Sequence, residues 1–308
     1  MLTELEAPYS KIISASDYIR IVSEEHIYIA CADHYLVDTI KDKTVQYNQA
    51  EVVELGCGPG RILPLLANIK NIKLTGVDHD VDFIEHAKKI TNHLGVNIKL
   101  ADVMTYKHNQ AVRAFCSMGF HHHVPKGEPT EKYLLNIFSQ LESGGYYILS
   151  DEFIPNYNTE SEREIALIIW YSHVIADALK HDYNYLAEEE SKTLLDDIYT
   201  GRSDNSIKTQ RQIQLVMSKV SAINTAAEAK RMDTAKALSQ ELIREINVDF
   251  TSTLNDNEIL DLSRGDYKIC DQVLRKEVES VGFIVESVKS IGQIAHIGAM
   301  SIYTLKKP

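Results

Sequence analysis

Four residues near position 50 have the types and the spacing that a nucleotide site requires. Glu54, Gly56, Gly58 and Gly60 form the pattern E-x-G-x-G-x-G inside EVVELGCGPGR, between an apolar strand pattern and an apolar helix pattern that begins at Ile62. Alternate glycines allow a sharp turn and let a ligand lie directly against the main chain at the start of a helix. The stretch predicts a nucleotide-like ligand, and a glycine-rich turn without a ligand is the alternative.

Two carboxylates follow at the ends of later strand patterns. Asp78 ends IKLTGVD, 22 residues after Gly56, and Asp102 follows VNIKL. A carboxylate about 20 residues past the first glycine can accept hydrogen bonds from a ribose diol. Asp78 is therefore the predicted ribose ligand. Its alternative role is to cap the next helix, and Asp80 competes for that role.

The glycine pattern distinguishes between two ligand classes. A dinucleotide fingerprint, G-x-G-x-x-G, needs a small residue where this chain has Arg61, which disfavours a nicotinamide oxidoreductase. The pattern instead resembles that of class I S-adenosylmethionine-dependent methyltransferases, over residues 48–155 and 266–308. The resemblance implies S-adenosylmethionine as cofactor, with Asp102 on the adenine amine and Val103 against its ring. The predicted cofactor-binding residues are Glu54, Gly56, Cys57, Gly58, Gly60, Asp78, His79, Asp102, Val103 and Ser117.

Three consecutive histidines, His121 to His123, stand at the end of the fourth strand pattern. Neighbours on an extended segment point in opposite directions, so at most His121 and His123 share a side, and no metal site is predicted. The imidazoles face either substrate or solvent. Methyl transfer is a direct displacement that depends mainly on alignment, so a base is needed only if the acceptor must lose a proton. The candidate catalytic residues are His122, His121 and Asp151, with Glu152 after them.

The order of strand and helix patterns predicts the fold class. It is α/β, a Rossmann-like, doubly wound, mostly parallel seven-stranded sheet with an antiparallel last strand, plus a helical insertion. The fourth strand is expected over residues 111–120. The next helix begins at Thr130 and is stopped by Ser143-Gly144-Gly145, and YYILSDEF is the fifth strand. The last two strand patterns are joined by QIAHIG, which is too short for a crossover helix, so they must pair antiparallel.

Four regions follow from these patterns. They are an N-terminal helical segment (1–47), the cofactor-binding core (48–155), a helical insertion (156–265) and a C-terminal helix with two strands (266–308). The insertion is expected to form an antiparallel helix pair that caps the substrate, and a homodimer through it is a further expectation. The predicted substrate-binding residues are Tyr28, Trp170, Tyr171 and His173, for which packing in the core is the alternative.

Composition limits the partners. The net charge of −12 shows no basic excess, so nucleic acid is not an expected partner. No apolar run reaches the roughly 18 residues of a membrane helix. Four dispersed cysteines and an N-terminus without a basic, apolar leader indicate a cytoplasmic location. The expected function is methyl transfer to the nitrogen, oxygen or carbon of a small metabolite. The alternatives are a macromolecular acceptor, or cofactor binding without transfer.

Overall fold

The computed structural model describes residues 9–11, 13–20, 22–23, 27–124, 130–163, 166, 207–238, 241–242, 268–291 and 300–308. Within these residues the strands are β1 (Ala50–Leu55), β2 (Ile72–Asp78), β3 (Asn97–Leu100), β4 (Val112–Met118), β5 (Leu141–Glu152), β6 (Ile284–Ile291) and β7 (Met300–Lys306). The α-helices are α1 (Ala15–Arg20), α2 (Ile27–Thr44), α3 (Leu63–Ala67), α4 (Val81–Thr91), α5 (Thr130–Gln140), α6 (Ile207–Glu228) and α7 (Asp271–Val281).

The strands form one seven-stranded sheet in the order β3-β2-β1-β4-β5-β7-β6. The pairs from β3 through β5 are parallel, and β7 runs antiparallel to both β5 and β6. The predicted fold class is confirmed, including the antiparallel last strand.

Helices cover both faces of this sheet because its central strands are apolar on both sides. On one face, Val52 belongs to an apolar cluster with Leu36 of α2. On the other, the neighbouring Val53 belongs to a cluster with Leu134 of α5 and Leu274 of α7. Burying each face against helices removes apolar area from water, which favours folding by about 25 cal/mol per Å². The core thus holds the strand ends in fixed positions.

Two boundaries differ from the sequence prediction. Helix α5 ends at Gln140, and β5 begins at Leu141, so the predicted helix stop at Ser143 is wrong. Leu141 pairs with Val112, whereas Tyr146 pairs with Ala114, and the residues between form an irregularity in which Gly144 has φ +74°. The fourth strand ends at Met118, after which Gly119 takes a left-handed conformation and Phe120 begins a 3-10 turn.

Residues 207–242 of the insertion, where described, form a pair of helical segments. Helix α6 ends at Glu228, a turn follows in which Lys230 has φ +56°, and residues 232–238 are helical again. The Lys219 ammonium lies 2.7 Å from the Glu241 carboxylate, so the second segment folds back along the first. Residues 156–163 and 166 of the insertion are also described, with 160–163 helical, and the roles of the insertion as cap or dimer interface remain predictions. Among the described helices, none is long and apolar enough to cross a membrane.

The N-terminal segment crosses the start of α4. The amide of Ser10 donates to Asp80 (2.9 Å), and the Lys11 ammonium lies 2.9 Å from the Asp82 carboxylate. The rings of Tyr18 and Phe83 have centroids 5.8 Å apart. Because α4 begins directly after the β2 exit, these contacts bring the chain's first described residues close to the predicted ribose ligand.

Candidate active site

The site lies at the point where the order of the strands in the sheet reverses. Strands β2 and β3 extend from β1 to one side, and β4 pairs with β1 on the other. In open α/β sheets such a reversal leaves a crevice beyond the carboxyl ends of the two central strands, and ligands bind there. The glycine turn after β1 (residues 56–60) and the histidine turn after β4 (residues 120–123) border this crevice.

The glycine turn has the backbone geometry that its sequence predicts. Gly56, Gly58 and Gly60 have φ values of +68°, +50° and +88°, which side chains other than glycine adopt only at a cost. At Gly60 a Cβ would lie 3.0 Å from the Cβ of Ala87 on α4, so close packing of this helix also requires glycine there. All three glycines therefore allow the left-handed backbone of the turn, and the third also allows close packing against α4.

Asp78 is nearly buried at the end of β2 and supports the glycine turn. Its carboxylate accepts from the amide of Gly58 and from the amide of Asp80, each at 2.8 Å. Burial raises the pKa of Asp78, and these two amides oppose that shift. Each carboxylate oxygen has a second lone pair, which a ribose hydroxyl can use. The neighbouring His79 is half exposed, with Nδ1 3.8 Å from the Asp78 carboxylate.

The alternative role of Asp78 as a helix cap belongs to Asp80. The Asp80 carboxylate accepts from the amides of Asp82 (3.0 Å) and Phe83 (3.2 Å), which are the free donors in the first turn of α4. Asp78 is thus not needed as the cap of this helix.

Glu54 provides a test of whether the site fits a cofactor. It is the last residue but one of β1 and is 3% exposed, yet its Oε2 has no hydrogen-bond partner among the described residues. Burial, and then the charge of Asp78, raise its pKa well above the usual range. A buried carboxylate oxygen without a partner is costly unless a ligand supplies a donor. The amino group of S-adenosylmethionine is such a donor, so the residues fit the cofactor.

Two further predicted residues follow β3. Asp102 is exposed, and one of its carboxylate oxygens accepts from the amide of Met104 at 2.8 Å. Val103 is buried in the core cluster that includes Val77. The Asp102 side chain is therefore accessible to solvent, whereas the neighbouring Val103 side chain packs in the core.

The histidine turn is a 3-10 turn, not the extended segment expected from the sequence. His121 and His123 therefore point to different partners. The Asp151 carboxylate accepts from the His121 amide (2.6 Å) and contacts its Nδ1. On the other side of the ring, Lys268 Nζ lies 3.2 Å from His121 Nε2 and 3.3 Å from the Glu152 carboxylate. Asp151, His121, Lys268 and Glu152 thus form one buried polar cluster at the β4 and β5 exits.

His123 belongs to a second buried network. Its Nδ1 lies 2.9 Å from the Tyr133 hydroxyl, which is 3.4 Å from that of Tyr147. The Tyr147 hydroxyl is 2.7 Å from Ser117 Oγ. Ser117 is fully buried next to the last residue of β4, and its hydrogen bond to Tyr147 connects it through Tyr133 to His123.

Arg61, which breaks the dinucleotide fingerprint, has a structural role. Its guanidinium forms a nearly buried ion pair with Asp33 of α2. The pair joins the end of the glycine turn to the helix that precedes the core. A small residue at position 61 would leave Asp33 buried without this partner, which is costly.

Several predicted residues cannot be placed. Trp170, Tyr171 and His173 lie outside the described residues, and for Tyr28 and His122 the backbone is described but the side chain is not. No group of three or more metal-ligating side chains occurs among the residues that are described. Sequence reasoning missed Lys268 and the role of His123. Lys268 stands in a stretch without a motif, so no local signal could have found it.

Comparisons with known proteins agree with this fold. A family model described as a methyltransferase domain matches residues 52–145, from β1 to the start of β5. The N-methyltransferase NodS from Bradyrhizobium japonicum WM9, solved with S-adenosyl-L-homocysteine, aligns over 98% of this chain and 100% of its own at 8% identity (TM-score 0.51). A possible exported protein from Bordetella parapertussis aligns over 96% of this chain and 80% of its own at 12% identity (TM-score 0.52). No curated protein sequence matches this chain significantly.

The fold and the crevice define a Rossmann-like nucleotide-binding domain, and the likeness to the two solved structures supports that fold. The family match over the core makes the class specific. The methyltransferase-domain match over residues 52–145 supports a class I S-adenosylmethionine-dependent methyltransferase with S-adenosylmethionine as its cofactor.

Proposed function

We propose that the protein transfers a methyl group from S-adenosylmethionine to a small-molecule metabolite bound beyond the exits of β4 and β5. The observation that carries this proposal is the burial of the polar residues at these exits. Four polar residues at the carboxyl ends of β4 and β5, where ligands of such sheets bind, are each no more than 6% exposed. They are His121, Asp151, Glu152 and Lys268. A deep site lined by buried groups suits a ligand that can be enclosed.

Roles for the cofactor-binding residues follow from their positions. Asp78 binds the ribose diol, Asp102 binds the adenine amine and Glu54 accepts from the amino group of the cofactor. The main chain of the glycine turn lies against the cofactor, and His79 borders the ribose. When bound, S-adenosylmethionine supplies an activated methyl group on a sulfonium for direct displacement. The protein's task is then to align the acceptor with that methyl group and to exclude water.

A proton acceptor is needed if the acceptor atom must lose a proton. Asp151 holds His121 through two contacts, in the manner of a carboxylate that fixes an imidazole tautomer. Lys268 donates toward His121 Nε2. His121 can therefore take a proton from the methyl-accepting substrate only after Lys268 moves or loses its own proton. His122, which follows on the same turn, remains the first candidate for a base, and Asp151 then acts by orienting the turn.

The alternatives are methylation of a macromolecule and cofactor binding without transfer. The net charge of −12 gives no electrostatic attraction to nucleic acid. A protein acceptor would need a segment thin enough to reach the buried cluster. Neither alternative accounts as simply for a deeply buried polar site.

The test uses S-adenosylmethionine with a tritiated methyl group. The protein is incubated with this cofactor and with a cell extract separated into metabolite, protein and nucleic-acid fractions. The proposal predicts that label is transferred only in the metabolite fraction, with matching release of S-adenosylhomocysteine. Label in the protein or nucleic-acid fraction would show a macromolecular acceptor, and no release with any fraction would favour a binding protein.

A further inference from the structure

The strand order sets the direction in which the cofactor extends. Adenine is assigned to Asp102 after β3 and ribose to Asp78 after β2, and the next strands across the sheet are β1 and then β4. Neighbouring strands lie about 5 Å apart. The sulfonium and the amino-acid end are bonded to the side of the ribose away from adenine, so they reach the exits of β1 and β4. This inference rests on the proposed ribose and adenine contacts and not on the choice of acceptor.

His123 lies at that place. Gly56 follows β1, His123 follows β4, and a Cβ built on Gly56 would be 2.0 Å from His123 Nε2 and 2.8 Å from its Cε1. The edge of the imidazole therefore lies directly against the first glycine of the turn. Any side chain at position 56 would occupy the space of this ring.

The two nitrogens of His123 have different surroundings. Nδ1 lies 2.9 Å from the Tyr133 hydroxyl, whereas Nε2 has no hydrogen-bond partner among the described residues. The residue is only 9% exposed. A nearly buried histidine whose Nε2 makes no hydrogen bond to the described residues, at the edge of a ligand crevice, can complete its contacts with a ligand.

We propose that His123 Nε2 contacts the sulfonium end of bound S-adenosylmethionine, and that Tyr133, Tyr147 and Ser117 are positioning residues that hold the ring against Gly56. The lone pair of Nε2 faces the positive sulfur and its methyl group. His123 then distinguishes the charged cofactor from its neutral product, S-adenosylhomocysteine.

The hydrogen-bond network is consistent with a lone pair on Nε2. Burial raises the pKa of both tyrosines, so each keeps its proton and acts as a donor. His123 Nδ1–H can then donate to Tyr133, Tyr133 to Tyr147, and Tyr147 to Ser117, which leaves Nε2 as an acceptor.

The charge of the ring agrees with this assignment. Burial lowers the pKa of His123 to about 4, so the imidazole is neutral at pH 7. A protonated ring beside the sulfonium would repel it, because like charges a few ångströms apart in a crevice are weakly screened. A neutral ring with its lone pair toward the sulfur is attracted instead.

Calorimetric titration with S-adenosylmethionine and S-adenosylhomocysteine separates this role from simple packing. In His123→Asn the amide can still reach Tyr133 but not the crevice, and in His123→Gln the amide reaches the position of Nε2. We expect His123→Asn to weaken S-adenosylmethionine binding about tenfold more than S-adenosylhomocysteine binding. His123→Gln should retain most of the preference. Tyr133→Phe removes the Nδ1 partner and should shift the ratio in the same direction by a smaller factor.

Asp78→Asn is the matched control, because both ligands carry the same ribose. It should weaken both by one common factor, which tests the cofactor placement separately from His123. Equal losses for both ligands in His123→Asn, or no loss, would overturn the proposal even if Asp78→Asn behaves as expected. Melting curves without ligand show whether each variant is folded. If His123→Asn is not folded, two results together would overturn the proposal: an unchanged ratio of the two ligand affinities in Tyr133→Phe, and no binding of either ligand by His123→Gln.

Discussion

The carboxylate of Asp78 accepts a hydrogen bond from the amide of Gly58 at 2.8 Å, and this contact links the β2 exit to the glycine turn. The predicted ribose ligand therefore also fixes the glycine turn, which is the proposed cofactor-binding loop. Binding and local stability are coupled at this residue, so a change there should alter both.

Replacement of Asp78 by asparagine tests this coupling. The amide group offers only one acceptor oxygen, so its nitrogen must face one of the two backbone donors. We expect unliganded stability to fall by about 1 to 2 kcal/mol and cofactor affinity to fall at least about tenfold. Urea denaturation and calorimetric titration measure the two effects. Asp82→Asn, on an exposed side chain in the next helix, is the control, and unchanged affinity in Asp78→Asn would remove the ribose assignment.

Gly56→Ala should be more disruptive than an alanine at an equally left-handed glycine elsewhere. Gly95 has φ +69° with no atom within 4 Å of a built Cβ, so Gly95→Ala adds only backbone strain of about 1 to 2 kcal/mol. Gly56 has φ +68°, and its Cβ would also meet His123. We expect a further 1 to 3 kcal/mol, roughly the cost of overpacking, and loss of cofactor binding.

The double variant Gly56→Ala/His123→Ala isolates the steric part of that effect. Removing the ring makes room for the new methyl group, so the double variant should be more stable than the sum of the single changes indicates. Thermal melts of the native chain, the two single variants and the double variant complete the double-mutant cycle. Strict additivity would show that the His123 ring does not lie against Gly56.

Glu54→Gln should stabilise the unliganded protein and weaken its cofactor binding. The folded-state pKa of Glu54 is raised, so its favourable contribution is complete below the usual glutamate pKa of 4.5 and is lost as pH rises through the raised pKa. An amide does not ionise, so at pH 8 the variant should be more stable by about 1 kcal/mol or more. It should bind S-adenosylmethionine about tenfold more weakly. Denaturation at pH 5 and pH 8 checks the sign, and Glu51→Gln on the same strand is the control.

Lys268→Met should be strongly destabilising. Removing the ammonium leaves the nearly buried Glu152 carboxylate without its 3.3 Å partner, which typically costs about 3 to 5 kcal/mol. Lys268→Met/Glu152→Gln removes both charges and should recover part of the loss. The exposed Lys88→Met should change stability by less than about 0.5 kcal/mol. Urea denaturation of the three variants measures these changes in the free energy of unfolding. No recovery in the double variant would contradict the ion pair.

Glu277 on α7 should make stability depend on pH between about 4.5 and 7. Burial is the main cause that raises its pKa from 4.5 to about 7, and a hydrogen bond with Thr130 opposes this shift. The stability it contributes is present below pH 4.5 and is lost as pH rises through about 7. Glu277→Gln should gain about 1 kcal/mol over the native chain at pH 8 and little at pH 4.5, after allowance for solvent screening. Exposed Glu279→Gln is the control, and equal gains at both pH values would argue against the shift.

The sequence by itself determined the elements and the first half of the site. The glycine turn, Asp78 and Asp102 lie within about 50 residues of one another, and each follows its own strand pattern, so local spacing was enough to predict where they stand. The antiparallel last strand followed from the short connection between two strand patterns. These features depend on residues close in the chain, and local patterns describe such residues well.

Tertiary pairing decided the features that the sequence prediction missed. Helix α5 ends at Gln140 because Leu141 pairs with Val112 across the sheet, not because of Ser143-Gly144-Gly145. The histidines separate because the turn after β4 is a 3-10 turn with partners on two sides. Neither fact is visible in the local sequence, since the competing contacts come from other strands.

The same reason explains the acceptor end of the site. His121 and Lys268 are separated by 147 positions in the chain and meet only because β5 and the segment before α7 run side by side, as the Ile154 amide bonded to the Ile269 carbonyl shows. Likewise, His123 reaches Gly56 because β4 pairs with β1. Residue types and spacing indicated a nucleotide-like ligand, and the family resemblance they carry implied S-adenosylmethionine. Strand order decided which side chains meet beyond the exits of β1, β4 and β5, because contacts across a sheet depend on pairing and not on distance along the chain.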